Sequence, residues 1–350
     1  DTKIDYVVGP NDRLFVRYSF QRATVNDPGL FGPNGGIYGG PHNGGFQGSG
    51  PSRNQSPGLN YTHILSPTLV TEFRFGIVRN HNQAINVDSG LTTSKDIGIP
   101  GVNLDKWSSG LTEIRFDSQY NNPMLGFSNS LPWIRSVTNF NIVNNWTKTM
   151  GTHIFKFGAD IRRERQDLLQ TQVFNPRGRF VFTAGTTSLN GGNAKTSYGN
   201  SFASFLLDQP GTGSGRDLAV IFPARRNTVY NLYFQDKWQV SQKLTVDLGL
   251  RWEYWPSSTP HHRGGFSNYN PFNNTLELAG IGSVPNDQGI NSHLTSFGPR
   301  IGTAYRMNDK TVFRAGYGIS YIPRNTNVYN FPVSQAAQLP AINSFVAVGS

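Results

Sequence analysis

Apolar and polar residues alternate along residues 230–255, and this alternation constrains the fold more than any other part of the sequence. In its second half one parity is wholly apolar: Leu244, Val246, Leu248, Leu250, Trp252 and Tyr254. Side chains on a strand alternate between the two faces of a sheet, so this half is a strand with one apolar face. The first half repeats the pattern, with Asp236 as its exception, and residues 241–243 predict a tight turn. The stretch is therefore a β-hairpin whose strands, about ten residues each, match the length that a tilted strand needs to cross a bilayer.

The same signature predicts four more hairpins, and short and long connections alternate between the strands. The predicted strand pairs are 4–8 with 12–21, 60–65 with 69–79, 138–148 with 153–163, and 297–306 with 311–321. The long connections are 22–55, 81–134, 165–225 and 256–294. Loops of this length are uncommon in compact soluble domains, whereas outer-membrane barrels combine short periplasmic turns with long outside loops. We expect the short turns to face the periplasm.

Composition and charge further restrict the class of protein and the partners that it can have. The chain is only 36% hydrophobic and contains no cysteine, which excludes disulfides, zinc–thiolate sites and thiol chemistry. A net charge of +10 suits an anionic partner, such as nucleic acid, lipopolysaccharide phosphate or an acidic ligand, or a solvated lumen lined by Arg and Lys. The cations are scattered along the strands and form no basic tract, so the lumen is favoured and no nucleic-acid partner is predicted.

The polar parity of the strands supplies the candidate functional residues. Those that we expect to face the lumen, where they would contact a plug or guide an anionic solute, are Arg74, Arg251, Glu253, Arg300, Arg306 and Arg314. General solvation of the lumen is the equally weighted alternative. Glycines of the same parity, including Gly76, Gly158 and Gly249, would let the sheet bend and leave room for a plug.

No catalytic, metal or cofactor site is predicted. Asp160 with Glu164, and Asp247 with Glu253, resemble carboxylate pairs for glycoside chemistry, but Arg162 and Arg251 stand beside them and favour simple ion pairs. The adjacent His261 and His262 lack a nearby carboxylate cluster and make a poor metal site. The chain is therefore not expected to be an enzyme.

Aromatic residues gather near the strand ends and suggest a girdle at the membrane interface. The candidates are Trp146, Trp238, Trp252, Tyr254 and Trp255. Amphipathic rings prefer the interface, although sheets favour aromatic residues anywhere. In the third long loop, residues 201–207 are apolar and fit either a helical turn or a strand, and residues 180–182 fit an additional strand.

Four stretches of the sequence resemble the barrel of TonB-dependent outer-membrane receptors, in particular the Oar-like group. They are NLYFQDKWQVSQKLTVDLGLRWEYW (231–255), FKFGADIRRE (155–164), TEFRFGIVRN (71–80) and GPRIGTAYRMNDKTVFRAGYGISY (298–321). The resemblance covers most strands and few loops. It implies a 22-stranded barrel around an N-terminal plug, driven by the energy-coupling protein TonB. No plug, TonB box or C-terminal aromatic strand is found in this sequence, so we expect a piece of a longer protein.

The predicted fold is an all-β, antiparallel, up-and-down transmembrane β-barrel, of which residues 1–350 supply about ten strands. The predicted function is active solute uptake in the bacterial outer membrane, with TonB, outer-membrane lipid or lipopolysaccharide, and an unknown solute as partners. Two alternatives remain open. One is a passive porin-type channel. The other is a glycan-binding surface protein without a membrane span, whose apolar faces would pair into a sandwich core.

Overall fold

The computed structural model describes residues 1–28, 47–120, 123–128, 131–170, 176–189, 198–215 and 224–321. Its main feature is one antiparallel sheet in which ten strands follow one another as five hairpins. In order across the sheet these are β1 (Thr2–Gly9), β2 (Asp12–Asp27), β3 (Gly48–Ser66), β4 (Leu69–Asn86), β7 (Trp133–Met150), β8 (His153–Gln170), β10 (Ala224–Gln239), β11 (Leu244–Tyr254), β15 (Phe297–Asn308) and β16 (Thr311–Gly318). The short strand β12 (Thr259–Pro260) also pairs with β10.

All five predicted hairpins are confirmed, but most strands are longer than predicted. In the hairpin of β10 and β11, Tyr230 pairs with Tyr254 and Gln239 with Thr245, around the expected turn. The prediction of about ten residues per strand was wrong for β3, which has 19 residues, and for β4, β7 and β8, which have 18 each. The additional residues lie at the long-loop ends, where polar residues on both faces hide the alternation from sequence reasoning.

The apolar face of the sheet is not covered by a second layer of the described chain. Leu248, Phe157 and Tyr317 are 42%, 38% and 69% exposed. A soluble sandwich would bury these side chains, and a barrel wall in lipid presents them to acyl chains. The sandwich alternative is therefore wrong. Among the described residues the sheet does not close, since β1 and β16 stand at the two ends of its order. The described residues contain no helix long and apolar enough to cross a membrane.

Two long loops pack together into a small domain, here called the cap, which comprises the described residues of 87–132 and 176–215. Its sheet joins β6 (Met124–Leu125), β5 (Glu113–Phe116) and β9 (Arg179–Phe182), and β5 pairs with β9 in parallel. Its helices are α1 (Thr93–Asp96) and α2 (Ser201–Leu206). The undecided segment 201–207 is thus helical, and the strand suggested at 180–182 exists.

The buried hydrophobic core of the structure lies mainly in the cap and not in the large sheet. Its buried apolar residues are Val102, Leu111, Phe116, Met124, Phe127, Leu131, Phe182 and Ala184. Phe205 of α2 packs its ring against Phe116 and Phe182, at centroid distances of 5.4 and 5.1 Å. The fourth long loop adds a separate hairpin of β13 (Ser267–Asn270) and β14 (Thr275–Leu278).

Candidate functional site

The polar face of the sheet carries ion pairs between residues two apart on one strand. Arg74 Nη2 lies 2.7 Å from Glu72 Oε1, and Arg162 Nη2 lies 2.6 Å from Asp160 Oδ2. Residues i and i+2 of a strand point to the same face, so each carboxylate can contact an arginine of its own strand and needs no residue of a neighbouring strand. Asp160 and Glu253 come from the two different carboxylate pairs that resembled catalytic pairs, and each of them forms such an ion pair. Arg251 Nε lies 2.5 Å from Glu253 Oε1.

Hydrogen bonds extend from the Glu72–Arg74 pair to neighbouring strands. Glu72 accepts from Asn60 Nδ2 at 2.7 Å and from Asn145 Nδ2 at 3.4 Å. Asn145 Oδ1 in turn accepts from the Tyr233 hydroxyl at 2.8 Å. The network therefore joins side chains of β3, β4, β7 and β10, and it passes over β8.

A groove on the polar face brings together two of the predicted site residues, Arg251 and Arg300. It has a volume of about 420 Å³, and Asp247, Gly249 and Gly302 also line it. Gly249 stands opposite Arg300 in the register, so the groove exists because this position has no side chain. Two guanidinium groups and one carboxylate around a glycine gap can receive a polar or anionic group from another molecule.

The other predicted site residues lie apart from this groove. Arg74 belongs to the Glu72 network on β4. Arg306 and Arg314 are exposed near the turn between β15 and β16, where Arg314 pairs in register with Ala304. Of the six predicted residues, the structure brings Arg251, Glu253 and Arg300 close together.

The aromatic candidates form two levels on the apolar face. Trp238 lies near the short turns and stacks on His153 at 5.4 Å, whereas Trp252 and Tyr254 stack at 6.0 Å near the long loops. Tyr230, which pairs with Tyr254, is eight residues from Trp238, or about 26 Å along the strand. With strand tilt this spacing is comparable to the apolar band of an outer-membrane barrel, roughly 25 Å tall.

Two aromatic candidates depart from the expected girdle. Trp146 stacks on Phe157 inside the apolar band, and its Nε1 donates to Asn144 Oδ1 at 2.6 Å. Trp255 follows the last residue of β11 and is half-buried, so it stands outside the strand alternation that carries Trp252. Asp236, the exception in the alternation, lies with its Oδ2 2.7 Å from His153 Nδ1, so its carboxylate has a hydrogen-bond partner on this face.

The cap contains buried charges that no sequence pattern predicted. Arg177 and Asp88 are 2% and 0% exposed, and Arg177 Nη1 lies 3.9 Å from Asp88 Oδ1. Arg177 Nη2 also donates to the carbonyl oxygens of Phe127, Ser128 and Leu131. Asp88 accepts from the Leu111 amide and from Asn86 Nδ2. These contacts tie the end of β4 to both long loops.

Burial dominates the ionisation of this pair. Burial raises the pKa of the Asp88 carboxyl, although the Leu111 amide and Arg177 act in the opposite direction. Burial likewise lowers the pKa of the Arg177 guanidinium. His261 and His262, 3.1 Å apart between Nδ1 and Nε2, lie in an exposed loop. Within the described ranges no three His, Cys, Asp or Glu side chains are grouped as metal ligands.

Comparison with known proteins gives a family match and distant structural similarities. The family model described as "Outer membrane beta barrel domain" matches residues 1–348. No curated protein matches the chain. Similar solved structures include the copper transporter OprC, with TM-score 0.43, 9% identity and coverage of 90% of this chain and 35% of that one. BauA, the ferric preacinetobactin receptor from Acinetobacter baumannii, has TM-score 0.44, 12% identity and coverage of 88% and 37%. The ferric citrate transporter FecA in its unliganded form has TM-score 0.41, 11% identity and coverage of 90% and 34%. The chain thus spans little more than a third of each of these proteins.

Proposed function

The chain belongs to the outer membrane β-barrel domain family, and on that premise we propose that it is part of the barrel of a TonB-dependent, Oar-like transporter for active solute uptake. The family and the apolar face place it in the bacterial outer membrane, with its short turns toward the periplasm and the cap outside. In this proposal the polar face is the lumen wall. A plug from the same full-length protein fills the lumen, TonB pulls on the plug, and solute passes along the wall.

The groove at Gly249 carries the proposal. Arg251 and Arg300 stand beside two glycines, Gly249 and Gly302. Because the glycines have no side chain, the polar face has a charged depression at this place. A folded plug can pack closely against such a surface, and its carboxylates or carbonyl oxygens can meet the two guanidinium groups. The motif of the groove strands, Gln-Asp-x-Trp followed by Leu-x-Leu-Gly-Leu-Arg-Trp-Glu, is fairly specific to the receptors that the sequence resembles.

The ion pairs of the lumen wall support transport without chemistry. Glu72, Asp160 and Glu253 each meet an arginine within 2.7 Å. An ion pair of this kind on a polar face needs no catalytic role to account for it. We therefore propose that the wall acids position the plug or solute, and that the protein is not an enzyme.

Conductance of the full-length protein in planar lipid bilayers separates a plugged receptor from the passive channel. A plugged receptor is expected to show no steady conductance until the plug is unfolded with urea on the periplasmic side. Steady conductance steps without urea would show a passive channel and overturn the proposal.

A variant links this measurement to the groove. Arg251→Gln with Arg300→Gln should loosen the plug, so that the conductance opens at a lower urea concentration than in the unchanged protein. Arg306→Gln is the control, since Arg306 lies on the same face but outside the groove. An equal shift for both variants would assign the effect to general lumen charge and remove the groove from the proposal.

A further inference from the structure

Arginines cross the apolar face of the sheet in a row at its long-loop end. Arg79, Thr138, Arg165 and Arg226 are successive register partners on β4, β7, β8 and β10, so they point to the same side. Ile77 and Phe140, two residues nearer the short turns, belong to the apolar band that faces lipid. On β4 and β7 the row therefore begins directly where this band ends, whereas on β8 the cation Arg163 already stands level with Phe140. In the orientation proposed above, with the long loops outside, this is the level of the outer leaflet.

The row lines a concavity that has an apolar floor and a basic rim. Its volume is about 480 Å³, and Ile77, Phe140, Arg79, Arg165 and Arg226 are among its lining residues. The Arg165 guanidinium lies over the Phe140 ring, 5.0 Å from its centroid. Arginine stems that cover apolar surface while the charged groups reach the headgroup level are typical of a membrane interface.

The charge on this face is poorly compensated. Asp167 is the carboxylate that lines the concavity, and it lies 2.7 Å from Arg226 Nη1. In the part of the chain that the structure describes, neither Arg79 nor Arg165 has an ion-pair partner. On the polar face, by comparison, Arg74, Arg162 and Arg251 each meet an acid of their own strand. The uncompensated arginines therefore leave room for an anion from outside the protein.

We propose that this concavity binds the phosphorylated glycolipid of the outer leaflet, lipopolysaccharide, with its phosphates on Arg79, Arg165 and Arg226 and its acyl chains on Ile77 and Phe140. An anion next to an apolar band must be amphiphilic to use both surfaces. The forked guanidinium binds phosphate in a bidentate manner, which explains arginine rather than lysine at these positions.

The width of the row favours a headgroup with more than one phosphate. From β4 to β10 it spans three strand spacings, or about 14 Å. A single phosphate can engage Arg165 and Arg226, which are direct neighbours, but it cannot reach Arg79 at the same time. A glycerophospholipid would therefore leave part of the row unused, whereas a diphosphorylated glycolipid can engage all of it.

Native mass spectrometry of the delipidated full-length protein tests the site with three probes: diphosphorylated lipid A, the same lipid without phosphates, and phosphatidylglycerol. We expect diphosphorylated lipid A to bind most tightly. The double variant Arg79→Gln, Arg165→Gln should bind it about tenfold more weakly, since two charge-assisted contacts are lost. The control Arg306→Gln, Arg314→Gln removes the same charge from the polar face and should bind as the unchanged protein does.

Three results would overturn the assignment: equal binding of the dephosphorylated lipid, equal binding of phosphatidylglycerol, or unchanged binding by the Arg79 and Arg165 variant. Heat-dependent migration in gel electrophoresis checks that each variant forms its barrel. Arg165→Lys keeps the charge and loses the fork, so it should bind diphosphorylated lipid A more weakly than the unchanged protein does. This comparison does not depend on whether the double variant folds. Full affinity in Arg165→Lys would remove bidentate binding from the proposal.

Discussion

Tyr233 on β10 and Asn145 on β7 are joined by a hydrogen bond of 2.8 Å, although β8 runs between their strands. Gly158 of β8 is the register partner of both residues, and the tyrosine ring passes over it. A Cβ atom at Gly158 would lie 2.9 Å from Tyr233 Cε1 and would clash with the carbonyl oxygen of Asn144. One glycine thus lets the lumen network cross three strands.

Gly158→Ala should destabilise the wall by roughly 1–3 kcal/mol, because Tyr233 must leave its position or the backbone must shift. Gly76→Ala is the matched control, since a Cβ there meets nothing within 4 Å. Urea unfolding in detergent, followed by tryptophan fluorescence, measures both. Equal stability of the two variants would show that the position of the Tyr233 ring does not depend on the missing side chain at Gly158.

Ile142→Arg should cost about 2–4 kcal/mol in a bilayer, because Ile142 lies on the apolar face in the middle of β7. The neighbouring variant Asn141→Arg points to the polar face and should be tolerated. Folding yield into lipid vesicles, read from heat-dependent gel migration, compares the two. If Asn141→Arg lowered the folding yield more than Ile142→Arg does, the polar face would be the one toward lipid, and the fold described for the wall would be contradicted.

Arg177→Ala should open the cap without unfolding the sheet. The change removes donors from three carbonyl groups and leaves Asp88 as an unpaired buried charge, a loss of about 3–5 kcal/mol for a buried pair. Hydrogen exchange should rise across residues 87–120 and stay low in β8 and β10. Lys95→Ala, on an exposed residue of the same loop, is expected to leave exchange unchanged.

Acid should strengthen the cap through Asp88. A carboxyl whose pKa is raised by folding contributes stability that is fully present below its ordinary value of 3.8 and is lost as the pH rises through the raised value. Amide hydrogen exchange in residues 87–116, corrected for the intrinsic exchange rate at each pH, should therefore slow as the pH falls from neutral. Asp88→Asn carries no titrating group and should abolish that dependence, and an unchanged pH profile in this variant would exclude Asp88 as its origin.

The sequence could predict the hairpins and their faces because both depend on local alternation. Leu248 and Gly249 differ in parity, and parity alone places one toward lipid and the other toward the lumen. The same rule located Arg74 and Arg300 on the polar face. The rule did not predict the long-loop ends of the strands. Arg79 and Arg165 lie there and have the apolar parity, but their side chains are charged.

The alternation of the sequence determined an all-β wall with one apolar face, because each strand carries its own period of two and needs no distant residue to show it. Only the tertiary structure decided which strands stand side by side, that two long loops form a cap around Arg177 and Asp88, and that three arginines share one row. Those relationships join residues tens of positions apart through register and packing. No local pattern records them, since each arginine by itself looks like any other exposed cation.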